Sequence, residues 1–158
     1  MMSMNSSMKQ LIERDKDVAC TLSSKLEAVL GAGFRQVGDC VFFSSLFDEQ
    51  SLPNTDFIQQ YYLDSTGYEC GINQIHLEDY CDTDLLCVSR LFVERFLSKW
   101  SENFAEAVVA ILSYEVSEEF GEISIFRFHT KRPGEAFINS DDTESFGEAL
   151  MMVEIGLK

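Results

Sequence analysis

The side chains of this chain that could do chemistry are few, and spacing weighs most of them. Cys70, His76 and Cys81 stand six and five residues apart, with Cys87 six further on. Structural zinc announces itself by two close pairs of the C-x₂₋₄-C kind, and none is present. These thiols are read as core packing and His76 as a residue of a polar face, so no metal is expected. A cysteine–histidine nucleophile needs a thiolate activated by a base or by a helix N-terminus. Cys87 falls near the start of an expected helix, but beside a stripe that reads as buried, and carboxylates around it would raise the thiol pKa. His76 and His129, the only two histidines, stand in no recognisable catalytic motif.

Paired carboxylates at Glu78-Asp79, Glu118-Glu119 and Asp141-Asp142 could serve acid–base work or hold a divalent cation. Asp82 and Asp84 supply the first two ligands of an EF-hand loop, yet Leu86 and Cys87 occupy the next ligand and glycine positions. Gly31-Ala32-Gly33 follows a helical pattern instead of opening one, so it is no phosphate cradle. The expectation is a protein without enzymatic activity and without a cofactor.

What remains is charge. From Gln36 to Ser89 the chain has no Lys or Arg, yet it carries ten acids, four of the five tyrosines and four phenylalanines. Two further runs, between Lys99 and Arg127 and between Arg132 and Lys158, each hold six acids and no base. The formal net charge is −15. Phosphate binding rests on Lys and Arg, as does attraction to anionic lipid, so neither nucleic acid nor a membrane is an expected partner. A negative field steers basic partners, and tyrosines are favoured interface anchors. The candidate partner-binding residues are Asp64, Glu69, Glu78, Asp79, Tyr80, Asp82 and Asp84, with Tyr61 and Tyr62 as aromatic anchors. Asp141 and Asp142 extend the same negative face.

These residues need a scaffold, and 158 residues with 46% apolar content suit one domain with one core. Aromatics at 12% and only two prolines exclude a disordered chain. Residues 1–6 show no periodicity and read as frayed. Met8, Leu11, Ile12, Val18, Ala19, Leu22, Leu26, Val29 and Leu30 predict one long amphipathic helix from Ser7 to Leu30, stopped by Gly31-Ala32-Gly33. A hairpin follows at residues 34–44 about Gly38-Asp39, then a polar loop at 48–56. A second strand pair is expected at 57–63 and 72–77, with Gly71 marking a bulge. Asp82-Thr83-Asp84 caps a second helix whose stripe runs from Leu85 to Trp100. Residues 104–116 fit a buried strand or a buried helix, with strand favoured. A strand at 123–128 completes a hairpin with them. Arg132-Pro133-Gly134 is a turn, 139–147 an acidic loop and 149–155 a last strand. The sum is an α+β fold, a mostly antiparallel sheet packed against a long N-terminal helix and a second helix.

The N-terminal MMSMNSSMKQ lacks an apolar export core, and the longest apolar run, Ala107 to Leu112, is too short to span a bilayer. Five irregularly spaced cysteines fit reduced thiols in a cytosol, so a cytoplasmic location is expected.

A small acidic α+β protein with aromatic-rich negative segments and no catalytic motif resembles the immunity proteins of bacterial toxin systems, those of contact-dependent growth inhibition and related polymorphic toxins above all. The resemblance is one of whole-chain profile, carried by no short motif. It implies a cytosolic partner of a basic toxin domain, often a nuclease, whose active site or substrate cleft the immunity protein covers. Alternatives are a phage-type acidic inhibitor that mimics nucleic acid and a small ligand-binding α+β domain. A deep pocket holding a Cys or His with a shifted pKa would mark the last of these.

Overall fold

Val108 to Thr130 fold as one long antiparallel hairpin, and the other elements are built on it. In the computed structural model, which describes residues 1–47 and 60–156, the strands are β1 (Met2–Met4), β2 (Phe34–Val37), β3 (Cys40–Phe43), β4 (Ile75–His76), β5 (Val108–Ser117), β6 (Gly121–Thr130) and β7 (Ala149–Ile155). The helices are α1 (Ser6–Arg14), α2 (Ser24–Ala32), α3 (Ser65–Ile72) and α4 (Leu85–Asn103), with short 3₁₀ turns at Leu77–Asp79 and Ser140–Ser145. A five-stranded sheet has the order β1-β7-β5-β6-β4, and β2 and β3 pair separately. All the pairings are antiparallel, so the fold is α+β.

Alternation along β5 and β7 gives the sheet two apolar faces. Val108, Ala110, Leu112, Tyr114, Phe126, Phe128, Met151 and Val153 face one way, against Val88, Phe92, Phe96 and Trp100 of α4, Leu26 and Val29 of α2, and Met8 of α1. Val109, Ile111, Leu150 and Met152 face the other way, against Cys70 of α3 and the partly buried Ile138 and Phe146. The hairpin expected at 34–44, the α4 helix, strand over helix at 104–116, the β5–β6 hairpin and the last strand are all present.

Four features depart from the sequence reading. The N-terminus is ordered: Met2 to Met4 pair with Val153 to Met151 of β7. Asn5 is buried, its Oδ1 accepting from the Met8 and Leu150 N–H groups and its Nδ2 donating to the Thr143 and Glu148 carbonyls. The long N-terminal helix is two helices. Asp15 and Lys16 fall where the apolar stripe needs a residue, and Ser23 starts α2 afresh by accepting from the Leu26 N–H. Cys20, in the segment between them, is joined to Cys87 of α4 by a disulfide, so the thiols are not all reduced.

The fourth departure is α3, which stands over the turn expected at 64–67 and runs to Ile72; of the strand expected at 72–77 only Ile75 and His76 form one, and they pair with β6. Asp64 caps it, Oδ1 accepting from the Gly67 N–H at 2.8 Å. Gly71 marks no bulge but a close helix approach: a Cβ there would lie 2.7 Å from the Tyr62 ring, and one at Gly67 would meet the Tyr62 carbonyl oxygen. The polar loop expected at 48–56 and residues 57–59 of the expected strand lie outside the described residues; 60–62 are helical.

Candidate functional site

The acids near the middle of the chain are brought to one end of the sheet by a two-residue strand. Ile75 and His76 pair with Phe126 and Ile125, and Leu77, fully buried, pulls the following 3₁₀ turn onto the core. Glu78 and Asp79 are thereby held at the surface beside the β5–β6 hairpin. Glu78 Oε2 accepts from the Ser124 N–H at 3.2 Å, and Oε1 lies 2.9 Å from His76 Nδ1. Tyr80 and Cys81 tuck partly against the core. Burial pushes the Cys81 thiol up, and the charges of Asp82, Glu122, Glu78 and Asp84 push it further. Asp82 and Asp84 are exposed. Asp84 makes no side-chain cap bond and holds φ at 54°, a left-handed conformation that aspartate tolerates.

The hairpin tip continues this end. Ser117 Oγ accepts from the Glu119 and Phe120 N–H groups, both at 3.2 Å, so the turn is closed by its own side chain and turns Glu118, Glu119 and Phe120 outward. Phe120 is 73% and Val116 69% exposed. Behind them the Tyr114 hydroxyl donates to Glu122 Oε2 at 2.5 Å, and burial followed by that carboxylate pushes the phenol up to about 12. Arg14 works against that rise and is itself held by both oxygens of Asp15, at 2.7 and 2.9 Å.

The remaining predicted residues lie elsewhere. Asp64 is occupied as the α3 cap. Tyr62 packs on Tyr68 with ring centroids 5.2 Å apart, while Tyr61 is exposed beside it. Glu69 has no exposed surface and so leaves the candidate surface altogether. Its Oε2 accepts from the Val41 N–H at 2.7 Å and the Thr130 hydroxyl at 3.0 Å; its Oε1 accepts from the Thr130 N–H at 3.0 Å and Arg132 at 2.5 Å. Asp141 and Asp142 are exposed in the 3₁₀ turn whose Thr143 carbonyl is tied to Asn5, at the β1 edge. That edge is four strand spacings of about 4.8 Å from the β4 edge, so these two acids do not extend the acidic end. Glu118, Glu119 and Glu122, absent from the predicted set, do.

A second feature lies on the sheet face away from α4. Glu154, Val109 and His129 form one row across β7, β5 and β6, and with Met152 and Ser3 they floor a cavity of about 300 Å³ roofed by Glu135, Ala136, Ile138, Asn139 and Ser140. His129 is 3% exposed. Its Nδ1 donates to the Thr130 carbonyl at 2.8 Å. Among the described residues no three His, Cys, Asp or Glu side chains come together to hold a metal ion, and no helix is long and apolar enough to cross a membrane.

The family model described as Uncharacterized protein PM0498 family matches residues 3–157. The chain belongs to the PM0498 family. It is similar to the Uncharacterized protein PM0498 of Pasteurella multocida (strain Pm70), with 27% identity over 121 residues, 75% of this chain and 77% of that protein. No solved structure matches. The span matched by the PM0498 family model takes in the acidic end and every residue lining the cavity except Met1.

His129 gives the fold a pH dependence. Burial lowers its pKa, with Arg132 acting in the same direction and the Thr130 carbonyl, Asp64 and Glu135 opposing. Lys131 and Glu154, which also line the cavity, neutralise each other in an ion pair. A histidine depressed in the folded state takes its proton first in the unfolded state, so its contribution is full above the ordinary value of 6.5 and is lost as pH falls through the folded value. Urea midpoints measured at about pH 7.5 and about pH 5.5 should therefore fall on acidification, and fall less in His129→Gln. An equal drop in both proteins would remove His129 as the cause.

Proposed function

We propose that this protein is an immunity-type inhibitor that acts in the cytosol by covering the active site or substrate cleft of a basic toxin domain, a nuclease by the chemistry of the fit. The observation that supports this most is the convergence of Glu78, Asp79, Asp82, Asp84 and Glu122 at one end of the sheet, with Glu118 and Glu119 at the hairpin tip beyond. Carboxylates so placed match the Lys and Arg that hold substrate phosphates. Phe120 and Val116, exposed among them, offer the apolar anchors on which tight interfaces depend.

The test is capture from lysate of the source cell at low salt, with wild type beside an Asp79→Lys/Asp82→Lys/Glu119→Lys variant. All three positions are exposed, so the variant should fold. One basic protein should co-purify stoichiometrically with wild type, and its nuclease activity should be blocked by wild type in vitro. The variant should lose affinity by about 100-fold or more, the size seen when close charge pairs across an interface are broken. Recovery of no basic partner, or full retention by the variant, would defeat the proposal. Inhibition of several unrelated nucleic-acid enzymes would instead favour a nucleic-acid mimic.

A further inference from the structure

The cavity over Glu154, Val109 and His129 is independent of the acidic end and has the size and lining of a small-molecule site. Three observations say what it takes. First, a carbonyl oxygen only accepts, so the bond from His129 to the Thr130 carbonyl fixes the proton on Nδ1 and leaves Nε2 of the neutral ring as an acceptor. No group among the described residues bonds Nε2, yet no inaccessible side-chain nitrogen or oxygen lacks a partner. In a ring 3% exposed, Nε2 therefore opens onto the cavity that the ring lines. Second, the side-chain cation of the lining, Lys131, is already held by both oxygens of Glu154 at 2.7 and 2.8 Å, and Glu135 Oε1 accepts from the Thr66 N–H. An anionic ligand therefore finds no unpaired side-chain cation in the lining. Third, Val109, Met152, Ala136 and Ile138 supply apolar wall beside the polar Ser3, Asn139 and Ser140, and a methionine sulfur favours aromatic neighbours.

We propose that this cavity binds a small, neutral, largely apolar molecule carrying an N–H or O–H group, which it donates to His129 Nε2. A dry cavity of roughly 150 Å³ accepts benzene, so this one has room for two fused rings. The low basicity that burial imposes on the ring keeps it in the neutral, accepting form at physiological pH.

The experiment uses the full chain, ¹⁵N-labelled, with the imidazole nitrogens read by long-range proton–nitrogen NMR. Without ligand, His129 should show a protonated Nδ1 and a bare Nε2. Indole, para-ethylphenol and cyclohexanol are then titrated to millimolar concentration. At least one should move the Nε2 resonance together with the backbone amides of Val109, Met152 and Ile138. N-methylindole, which keeps the shape of indole and loses the donor, should bind about tenfold more weakly than indole, the worth of one hydrogen bond. Ala136→Trp, at an exposed roof position, fills the cavity without touching the core and should abolish the response while leaving the spectrum folded. The proposal is overturned if all three probes leave Nε2 unmoved, if N-methylindole binds as well as indole, or if His129 carries its proton on Nε2.

Discussion

Arg132→Met is expected to destabilise the fold by about 3–5 kcal/mol, the cost of stripping a buried charge of its partner. The Arg132 side chain is only 11% exposed and Glu69 not at all. Arg132 also donates to the Asp39 carbonyl at 2.7 Å and to Thr66 Oγ1 at 3.2 Å, so its loss frees the connection between β2 and β3 as well. Glu69→Gln should be costly too, by about 1–3 kcal/mol. The Val41 and Thr130 N–H groups sit on different oxygens of Glu69, and an amide offers only one. Urea denaturation of the two single variants and the double decides the matter. The double should cost clearly less than the sum, because each single change strands the opposite charge of the pair and the double leaves neither charge behind. Arg132→Met within about 1 kcal/mol of wild type would mean that the pair is solvated after all.

Phe43→Ala should cost a similar amount, about 3–5 kcal/mol. Phe43 is fully buried and its ring lies 5.7 Å from Phe34, 5.8 Å from Phe96 and 4.9 Å from Phe128. It thus joins the small hairpin, α4 and β6 at one point, where the backbone cannot collapse to fill the hole. Phe120→Ser is the contrasting case. At 73% exposure it should change stability by no more than about 0.5 kcal/mol. Calorimetric midpoints separate the two, and a large loss in Phe120→Ser would show that the hairpin tip is packed.

The elements that were legible carry their own period and their own turn. The β5–β6 hairpin, α4 and the β2–β3 hairpin each announce themselves within a few residues. The break between α1 and α2 was hidden because Met8, Leu11 and Ile12 happen to stay in phase with Leu22, Leu26 and Val29 across Asp15 to Ser23. Helix α3 is hidden for a different reason: its buried face includes Thr66 and Glu69, with the buried Asn73 at its C-terminal cap, and a helix that buries polar groups gives no apolar period. Glu69 looked like a surface acid because nothing local signals Arg132, 63 residues away. The acidic end was half legible. Its charges stand in the sequence, but the hairpin tip joins them only through β4, two residues long. His129 was passed over because alternation sends it away from the main core, and the segment that covers it comes later in the chain.

The order of the sheet also decides how these molecules meet one another in a crowded solution. β5, β6 and β7 are long and rich in Val, Ile, Met and Phe, the composition from which intermolecular cross-β stacks grow. Their outermost neighbours are strands of three and two residues. Where β4 ends, the Ser124 N–H is taken by Glu78 and the Thr130 N–H by Glu69. On the separate hairpin, Asn73 takes the Phe43 N–H and the Val41 carbonyl. Among the described residues a passing chain therefore finds short strands and carboxylates along the borders of the main sheet, poor templates for strand addition.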